Sequence, residues 1–425
     1  MKSLDQIAAA LQGYDPQALS VQAVNAFLRE MVEPVRDTET VGVFAALDRV
    51  LAEDLISPID VPPHDNSAMD GYALSGHDLA PDGPTHCRVV GTVHAGQTWN
   101  GAVGPGECIK IMTGAVMPPG LDTVVPVEFI ETAGETVRIP PGVVRPGDNR
   151  RLRGEDLTRG RAALQQGDRL GPAALGLVAS LGVAQVRVFR RLQVAYFSTG
   201  DEILSLGEPL RQGAVYDSNR YTVFGLLSRL GVEVLDLGVV KDDPASLEAA
   251  FRQAARQADV VITSGGVSMG EADHTKAMMK RLGEVAFWRI AMRPGRPMAV
   301  GRLRDHDRQA VLFGLPGNPV AVMVTFLAFV RPALQRMMGL RGPQPPLLRA
   351  HSLEPIRKKP GRTEYQRGIV STDAEGRLVV RTTGHQGSGV LRSMVEANGL
   401  IVLHHAQGNV APGDEVDVMM FDGVV

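Results

Sequence analysis

Cysteine is almost missing from this 425-residue chain: Cys87 and Cys108 are the two it has. Two thiols cannot build a disulfide framework or a four-thiolate zinc site, and a reducing cytoplasm fits them best. A surplus of charge is missing too. The 44 Lys and Arg stand against 47 Asp and Glu, a net charge of −3, so no overall basic footprint marks a nucleic-acid binder. Long apolar runs are also lacking. The start, Met-Lys-Ser-Leu-Asp-Gln, has no signal-peptide apolar core, and the longest mainly apolar stretch, Val320 to Val330, is too short to span a bilayer. Neither a membrane anchor nor an internal repeat nor a low-complexity segment is expected. What is present, 44% hydrophobic and 21% charged residues, is the composition of a soluble globular protein. At ~100–200 residues per domain, the length implies two to four domains.

The texture of the chain changes several times. Apolar residues at helical spacing (Val21, Val24, Phe27, Leu28, Met31), then a run from Ala45 to Leu55, predict two helices feeding an extended segment. From Ile56 to about Arg145, frequent Pro and Gly with short apolar runs predict a small β-rich domain. Residues 145–161 carry six arginines interleaved with Asp148, Glu155 and Asp156, a solvated or interface charge cluster. A helix is expected over Pro172 to Leu181. From Arg191 to about Leu340, strand and helix signals alternate, which predicts a parallel sheet with crossover helices. Pro343 to Pro346 reads as a linker, and the last ~80 residues as a second small β domain.

The most informative segment is Thr263-Ser-Gly-Gly-Val-Ser-Met-Gly-Glu-Ala-Asp273 after the β-branched run Val260 to Ile262. It falls at the carboxyl end of a buried strand, where open α/β sheets bind ligands. Gly265, Gly266 and Gly270 would let amides approach an anion, Ser264 and Ser268 would add hydroxyls, and Glu271 and Asp273 suit Mg²⁺. A tight turn with a solvated acidic end has the same composition, and the loop is neither a Walker A nor a G-x-G-x-x-G sequence. Ser198-Thr-Gly-Asp-Glu202 and Lys241-Asp242-Asp243-Pro244 occupy equivalent strand ends. Thr199 and Asp201 suit helix caps, and Asp243 before Pro244 suits one as well. Asp242 is then left for a metal or for water activation, and Glu202, Asp242 and Asp273 could converge on one crevice.

Gly314-Leu-Pro316-Gly317-Asn318-Pro319-Val320 offers amides at a helix start, or simply a rigid turn. Arg289, Arg293 and Arg296 suit bidentate oxyanion contact, with Arg289 and Arg293 on one face if their segment stays extended. Exposed edge arginines are the alternative. Loops 384–389 and 358–362 could hold a tetrahedral oxyanion, although ordinary turns are the simpler reading. Pro62 to Ala73 (PPHDNSAMDGYA) suits a site-lining loop or an Asx-rich loop satisfying its own backbone.

PPHDNSAMDGYA, Ile111-Met-Thr-Gly114, Arg153-Gly-Glu-Asp156, STGDE, TSGGVSMGEAD and GLPGNP, in that order, resemble the bacterial MoeA family of molybdopterin molybdenumtransferases, which is similar to the E domain of gephyrin. The resemblance covers nearly the whole chain. It implies an elongated, multidomain α/β and β subunit. A central α/β domain of molybdopterin-binding type (191–340), its sheet mainly parallel, is flanked by two small β domains (55–148 and 341–425). A segmented helical and extended domain (1–54 with 149–190) serves dimerisation. It implies a cytoplasmic homodimer with the site between the α/β domain of one subunit and the β domain of the other. The reaction would be Mg²⁺-dependent: adenylylated molybdopterin plus molybdate gives molybdenum cofactor and AMP.

Matched by motif, Glu202, Asp242 and Asp273 are the acids expected around Mg²⁺. Asp65, Thr113 and Asp156 are expected from across the dimer, and Arg367 and Ser388 from the C-terminal domain. Pro316, Gly317, Asn318 and Pro319 form the family's proline-bearing turn, and Ser264, Gly265, Gly266, Ser268, Arg289, Arg293 and Arg296 the phosphate-binding set. Arginine stands at some positions where the family often has lysine, which keeps the charge and changes donor geometry. The upstream adenylyltransferase and downstream molybdoenzyme chaperones are expected partners. Rival readings are the preceding adenylyl transfer to molybdopterin, which would not require the PPHDNSAMDGYA domain, and a non-catalytic molybdopterin-binding scaffold, for which a mutated acid set would be expected.

Overall fold

A six-stranded sheet organises the centre of the chain. The computed structural model describes residues 2–267, 274–342, 345–421 and 425. The central elements are β1 (Gln193–Thr199), α1 (Ser218–Leu230), β2 (Glu233–Val240), α2 (Pro244–Gln257), β3 (Val260–Ser264) and α3 (His274–Leu282). They continue with β4 (Gly283–Arg289), β5 (Pro297–Asp305), β6 (Arg308–Leu315) and α4 (Pro319–Met337). Strand order is β2-β1-β3-β6-β5-β4; the first four are parallel, and β5 and β4 close the sheet as an antiparallel pair. Because α1 carries the chain to one side of β1 and α2 carries it back to the other, the order reverses at β1. A crevice therefore opens at the carboxyl ends of β1 and β3.

Local sequence explains these elements. Asp243 accepts the N–H groups of Ala245 and Ser246 and caps α2, with Pro244 at its first position. Asp217 caps α1, which ends at Gly231 with φ +76°. Strand β3 is buried along its whole length, as expected of a strand covered on both faces. One face of the sheet packs on α2 and α3 through Phe251, Leu247, Met279 and Leu312. The other packs on α1 and α4 through Val223, Leu227, Phe326 and Phe329. Helix α4 has the length and hydropathy of a membrane span, but 78% of it is buried in this core. It contains a π-helical turn over Phe326–Val330, just before Pro332, whose missing N–H breaks the regular ladder.

The segment 1–54, expected as one half of the segmented domain, divides instead. Helices Leu4–Ala10 and Val21–Met31 join the core of the central sheet. Phe27 meets Trp288 edge-on at 4.9 Å, and buried Arg302 donates to the carbonyls of Lys2 and Met31. The helix expected from Ala45 does not form. A 3₁₀ turn (Val43–Ala46) is followed by Asp48 at φ +61°, a left-handed conformation that no α-helix continues, and Val50 and Leu51 bridge to Arg169 and Val188. Thr38–Gly42 pairs antiparallel with Gln185–Phe189. Helix Pro172–Ser180 packs there through Val178.

Residues 71–139 form a six-stranded sheet. Near the C-terminus, five strands (Leu348–Ser352, Thr363–Thr372, Leu378–Thr382, Gly399–Leu403, Glu415–Met420) close on themselves through the pairing of the second with the fourth. This small barrel has no free edge, and Met292–Arg293 pairs with its Thr363 and Glu364. Of the expected linker 343–346, Pro343 and Gln344 lie outside the described residues.

Candidate active site

A cavity of about 1020 Å³ opens at the carboxyl ends of the parallel strands. Its lining includes Ser198 to Gly200 and Glu202 after β1, Val215 to Asn219 at the start of α1, Asp242 after β2, Ser264 to Gly266 after β3, Arg293 to Pro297 ahead of and at the start of β5, Pro316 to Pro319 between β6 and α4, and Gln386 to Gly389 from the C-terminal barrel. Under its floor the buried Tyr196 hydroxyl lies 2.6 Å from Ser264 Oγ and 3.0 Å from Ser198 Oγ. Burial raises the Tyr196 pKa, so the phenol stays protonated and ties β1 to β3.

The expected residues separate into groups. Glu202, Asp242, Ser264, Gly265, Gly266, Arg293, Arg296, Pro316, Gly317, Asn318, Pro319 and Ser388 all line the cavity. Ser268 and Asp273, with Gly270 and Glu271, lie outside the described residues. Asp242 accepts a hydrogen bond from Thr275 Oγ1 at 3.2 Å, while Glu202 is exposed. Both are hard oxygen donors and suit Mg²⁺, although no cluster of three His, Cys, Asp or Glu side chains occurs among the described residues. The capping roles weighed for Thr199 and Asp201 do not arise, because strand and turn follow them rather than helix.

Three expectations are corrected in detail. The Gly265 N–H is bonded to Leu315 O at 3.2 Å rather than left for an anion. Glycine is needed there for another reason: φ is +91°, and a Cβ would stand 2.3 Å from Thr199 O. At the start of α4, Pro319 has no N–H and that of Val320 is bonded to Ser388 O at 3.1 Å, so the barrel loop covers the helix end. Arg289 does not line the cavity. The chain bends at Ala291 soon after it, and Arg289 pairs with Pro297 while its backbone bonds to Pro16 and Leu19.

Arg367 is 1% exposed and stands behind the lining. It donates to Gly387 O at 3.0 Å and Ser393 Oγ at 2.9 Å, and its N–H bonds to Gln386 Oε1, so it holds the loop that presents Ser388. Burial, with the Arg293 charge nearby, brings its pKa down to about 10. Asp65, Thr113 and Asp156 lie elsewhere, each bonded to a different neighbour. Asp65 Oδ1 accepts from the Arg153 N–H at 2.8 Å, its backbone carbonyl from Met117, and Asp156 N–H donates to Val61 O. Thr113 donates both N–H and O–H to Asp70 Oδ1 at 2.7 Å, which lowers the Asp70 pKa. None of the three lines the cavity. Sequence reasoning missed Asp217, Asn219, Tyr216 and Gln386 in the lining; the polar run Tyr-Asp-Ser-Asn ahead of a helix was the available signal.

Fold and cavity together define a multidomain α/β protein with a polar crevice at the switch point of its central sheet, beneath a loop of the C-terminal barrel. Residues 19–182 match the MoeA N-terminal region (domain I and II), 195–336 a probable molybdopterin binding domain, and 349–421 the MoeA C-terminal region (domain IV). The chain is 41% identical over 402 residues to a molybdopterin molybdenumtransferase of Haemophilus influenzae, covering 94% of this chain and 98% of that one. It is 35% identical to one of Nostoc, covering 90% and 89%. A solved molybdopterin biosynthesis moeA protein of Pyrococcus horikoshii superposes with TM-score 0.81 at 26% identity, covering 95% of this chain and all of that one. The chain belongs to the MoeA family of molybdopterin molybdenumtransferases.

Proposed function

We propose that this protein inserts molybdenum into molybdopterin: it binds adenylylated molybdopterin and molybdate, releases AMP and yields molybdenum cofactor. The observation that carries the reading is the meeting, in one cavity at the switch point, of two carboxylates (Glu202, Asp242), two guanidinium side chains (Arg293, Arg296) and the Ser388 loop. The bond to be cleaved is a phosphoanhydride, so negative charge develops on the departing phosphate. Arg293 and Arg296 are placed to bind and stabilise that charge. The Pro316–Pro319 turn and the loop held by Arg367 fix the walls against which the substrate is oriented. Glu202 and Asp242, with Asp273, would hold Mg²⁺, which when bound supplies Lewis-acid polarisation of a phosphoryl oxygen.

Homodimerisation belongs to the same proposal. Phe44 is 99% exposed, and in the apolar helix Pro172–Ser180 only Val178 is buried. Both lie on the segmented part, and an apolar surface of this kind suits a second copy. Asp65, Thr113 and Asp156 would then complete the cavity of the partner. The free, buried thiols of Cys87 and Cys108 suit a cytoplasmic enzyme. The test is AMP release from adenylylated molybdopterin by the purified protein with Mg²⁺, with and without molybdate. Molybdate-dependent release is expected; tight binding without release would overturn catalysis in favour of a scaffold.

A further inference from the structure

Among the described residues that line the cavity, Asp217, Asn219 and Thr199 each keep a buried oxygen without a hydrogen-bond partner, and the first two of these are pure acceptors. Asp217 is 3% exposed and Asn219 7%, and both line the cavity. Asp217 Oδ1 is occupied by the Arg220 N–H at 3.1 Å, as the cap of α1. Its other oxygen, Oδ2, is buried with no hydrogen-bond partner among the described residues. Asn219 donates its Nδ2 to Gly317 O at 2.7 Å, which fixes the amide orientation and leaves Oδ1 as a second buried acceptor without a partner among the described residues. Buried polar atoms without partners are uncommon, and each asks for a cause. A cap needs only one carboxylate oxygen. A tie to the Pro316–Pro319 turn needs only the amide nitrogen. Asp217 is the N-cap of α1 and Asn219 its second residue, so the two remaining oxygens belong to one helix start that lines the cavity, and they suit a ligand with two nearby hydrogen-bond donors.

We infer that Asp217 and Asn219 are a specificity-determining pair that reads adjacent N–H or O–H donors on the substrate; the inference rests on the functional reading above. An adenylylated pterin carries that chemistry in two places: the ring N–H beside the 2-amino group of the pterin, and the 2′,3′-diol of the ribose. An adenine edge is excluded, because its amine is flanked by ring nitrogens whose lone pairs would face the second acceptor. The pair sets which molecule is held and leaves the charge of the phosphate to Arg293 and Arg296. A site built to pair with donors rejects an analogue lacking them, since its own acceptors are then left buried and unpaired.

The test is calorimetric binding to the full chain, with Mg²⁺ chelated so that metal coordination cannot supply the effect. Ligands are adenylylated molybdopterin, AMP and 2′,3′-dideoxy-AMP. The variants are Asp217→Asn, Asp217→Ser, which keeps an acceptor for the helix cap, and Asn219→Ala, which leaves the cap untouched. Affinity for adenylylated molybdopterin is expected to fall about 10–100-fold, the size of a lost hydrogen bond to a charged group. If AMP weakens equally while dideoxy-AMP binds poorly and ignores the variants, the donor pair is the ribose diol. If AMP is unaffected, it is the pterin edge. A wild type that binds while all folded variants match it overturns the inference alone. A wild type that binds none of the ligands overturns the functional reading and the inference with it.

Discussion

The switch-point cavity and the polar loops of the β-rich part carry similar residues in opposite states. In the cavity, Glu202 is exposed, and Asp217 and Asn219 keep buried oxygens without partners among the described residues. On the β-rich part, Asp65 is bonded to the Arg153 amide, and Asp70 accepts twice from Thr113. Carboxylates already satisfied by neighbouring segments fix a surface; carboxylates left open await a ligand. The comparison teaches that a cluster of acids in a motif is not by itself a reacting centre. Its partners decide, and in the β-rich part folding brings those partners from 43 and 88 residues away in the chain.

The sharpest way to break this contrast is to neutralise one acid on each side. Asp242→Asn is expected to cut molybdate-dependent AMP release by about 10²–10³-fold, the usual cost of removing one preorganised electrostatic group, with the thermal midpoint little changed. Asp70→Asn is expected to lower the midpoint and leave release within about tenfold, since a paired loop hydrogen bond carries ~1 kcal/mol. Next in size is complementation. If the β-rich loops serve the partner's cavity, mixing inactive Asp65→Asn and Asp242→Asn chains restores one intact site in each mixed dimer. Re-equilibrated mixtures then recover about a quarter of wild-type release. No recovery would confine the site to a single chain.

Glycine substitutions sharpen the comparison in stability. Gly265→Ala forces a Cβ to 2.3 Å from Thr199 O at φ +91°, and a loss of ~3 kcal/mol or more is expected in urea unfolding, from left-handed strain plus displaced backbone. Gly114, at φ +80° in open space, carries strain alone, so Gly114→Ala should lose ~1–2 kcal/mol. The smallest effect is in pH. Thr113 holds the Asp70 pKa below its usual value of 3.8. The stabilisation is therefore complete above that value and fades as pH falls through the lower folded one. Thr113→Val should raise the Asp70 pKa in a carboxyl NMR titration and remove stability above the acid window, with the difference from wild type vanishing as pH falls through it.

Much of the central sheet was legible. Helices Ser218–Leu230 and Pro244–Gln257 lie where their caps and periodicity put them, because Asp243-Pro244 and a closing Gly231 are local signals. The failed helix after Ala45 shows the limit: its composition suits a helix, yet Val50 and Leu51 are taken by residues more than 100 positions away. Glycine in the Thr263 loop was legible as a special backbone, but its reason, the approach of Thr199 O, depends on the neighbouring strand. Arg289 and Arg293 looked alike in sequence, and a bend at Ala291 lies between them, with only the second lining the cavity.

The sequence by itself determined the alternation of strands and helices, the strand-end loops and the family to which they belong, because capping, periodicity and turn chemistry act over a few residues. Only the tertiary structure decided which acids stand open and which are satisfied, that the Ser388 loop covers the start of α4, and that Asp217 Oδ2 and Asn219 Oδ1 lack partners among the described residues. A side chain's hydrogen-bond state depends on atoms that folding brings from distant parts of the chain, and no local pattern records them.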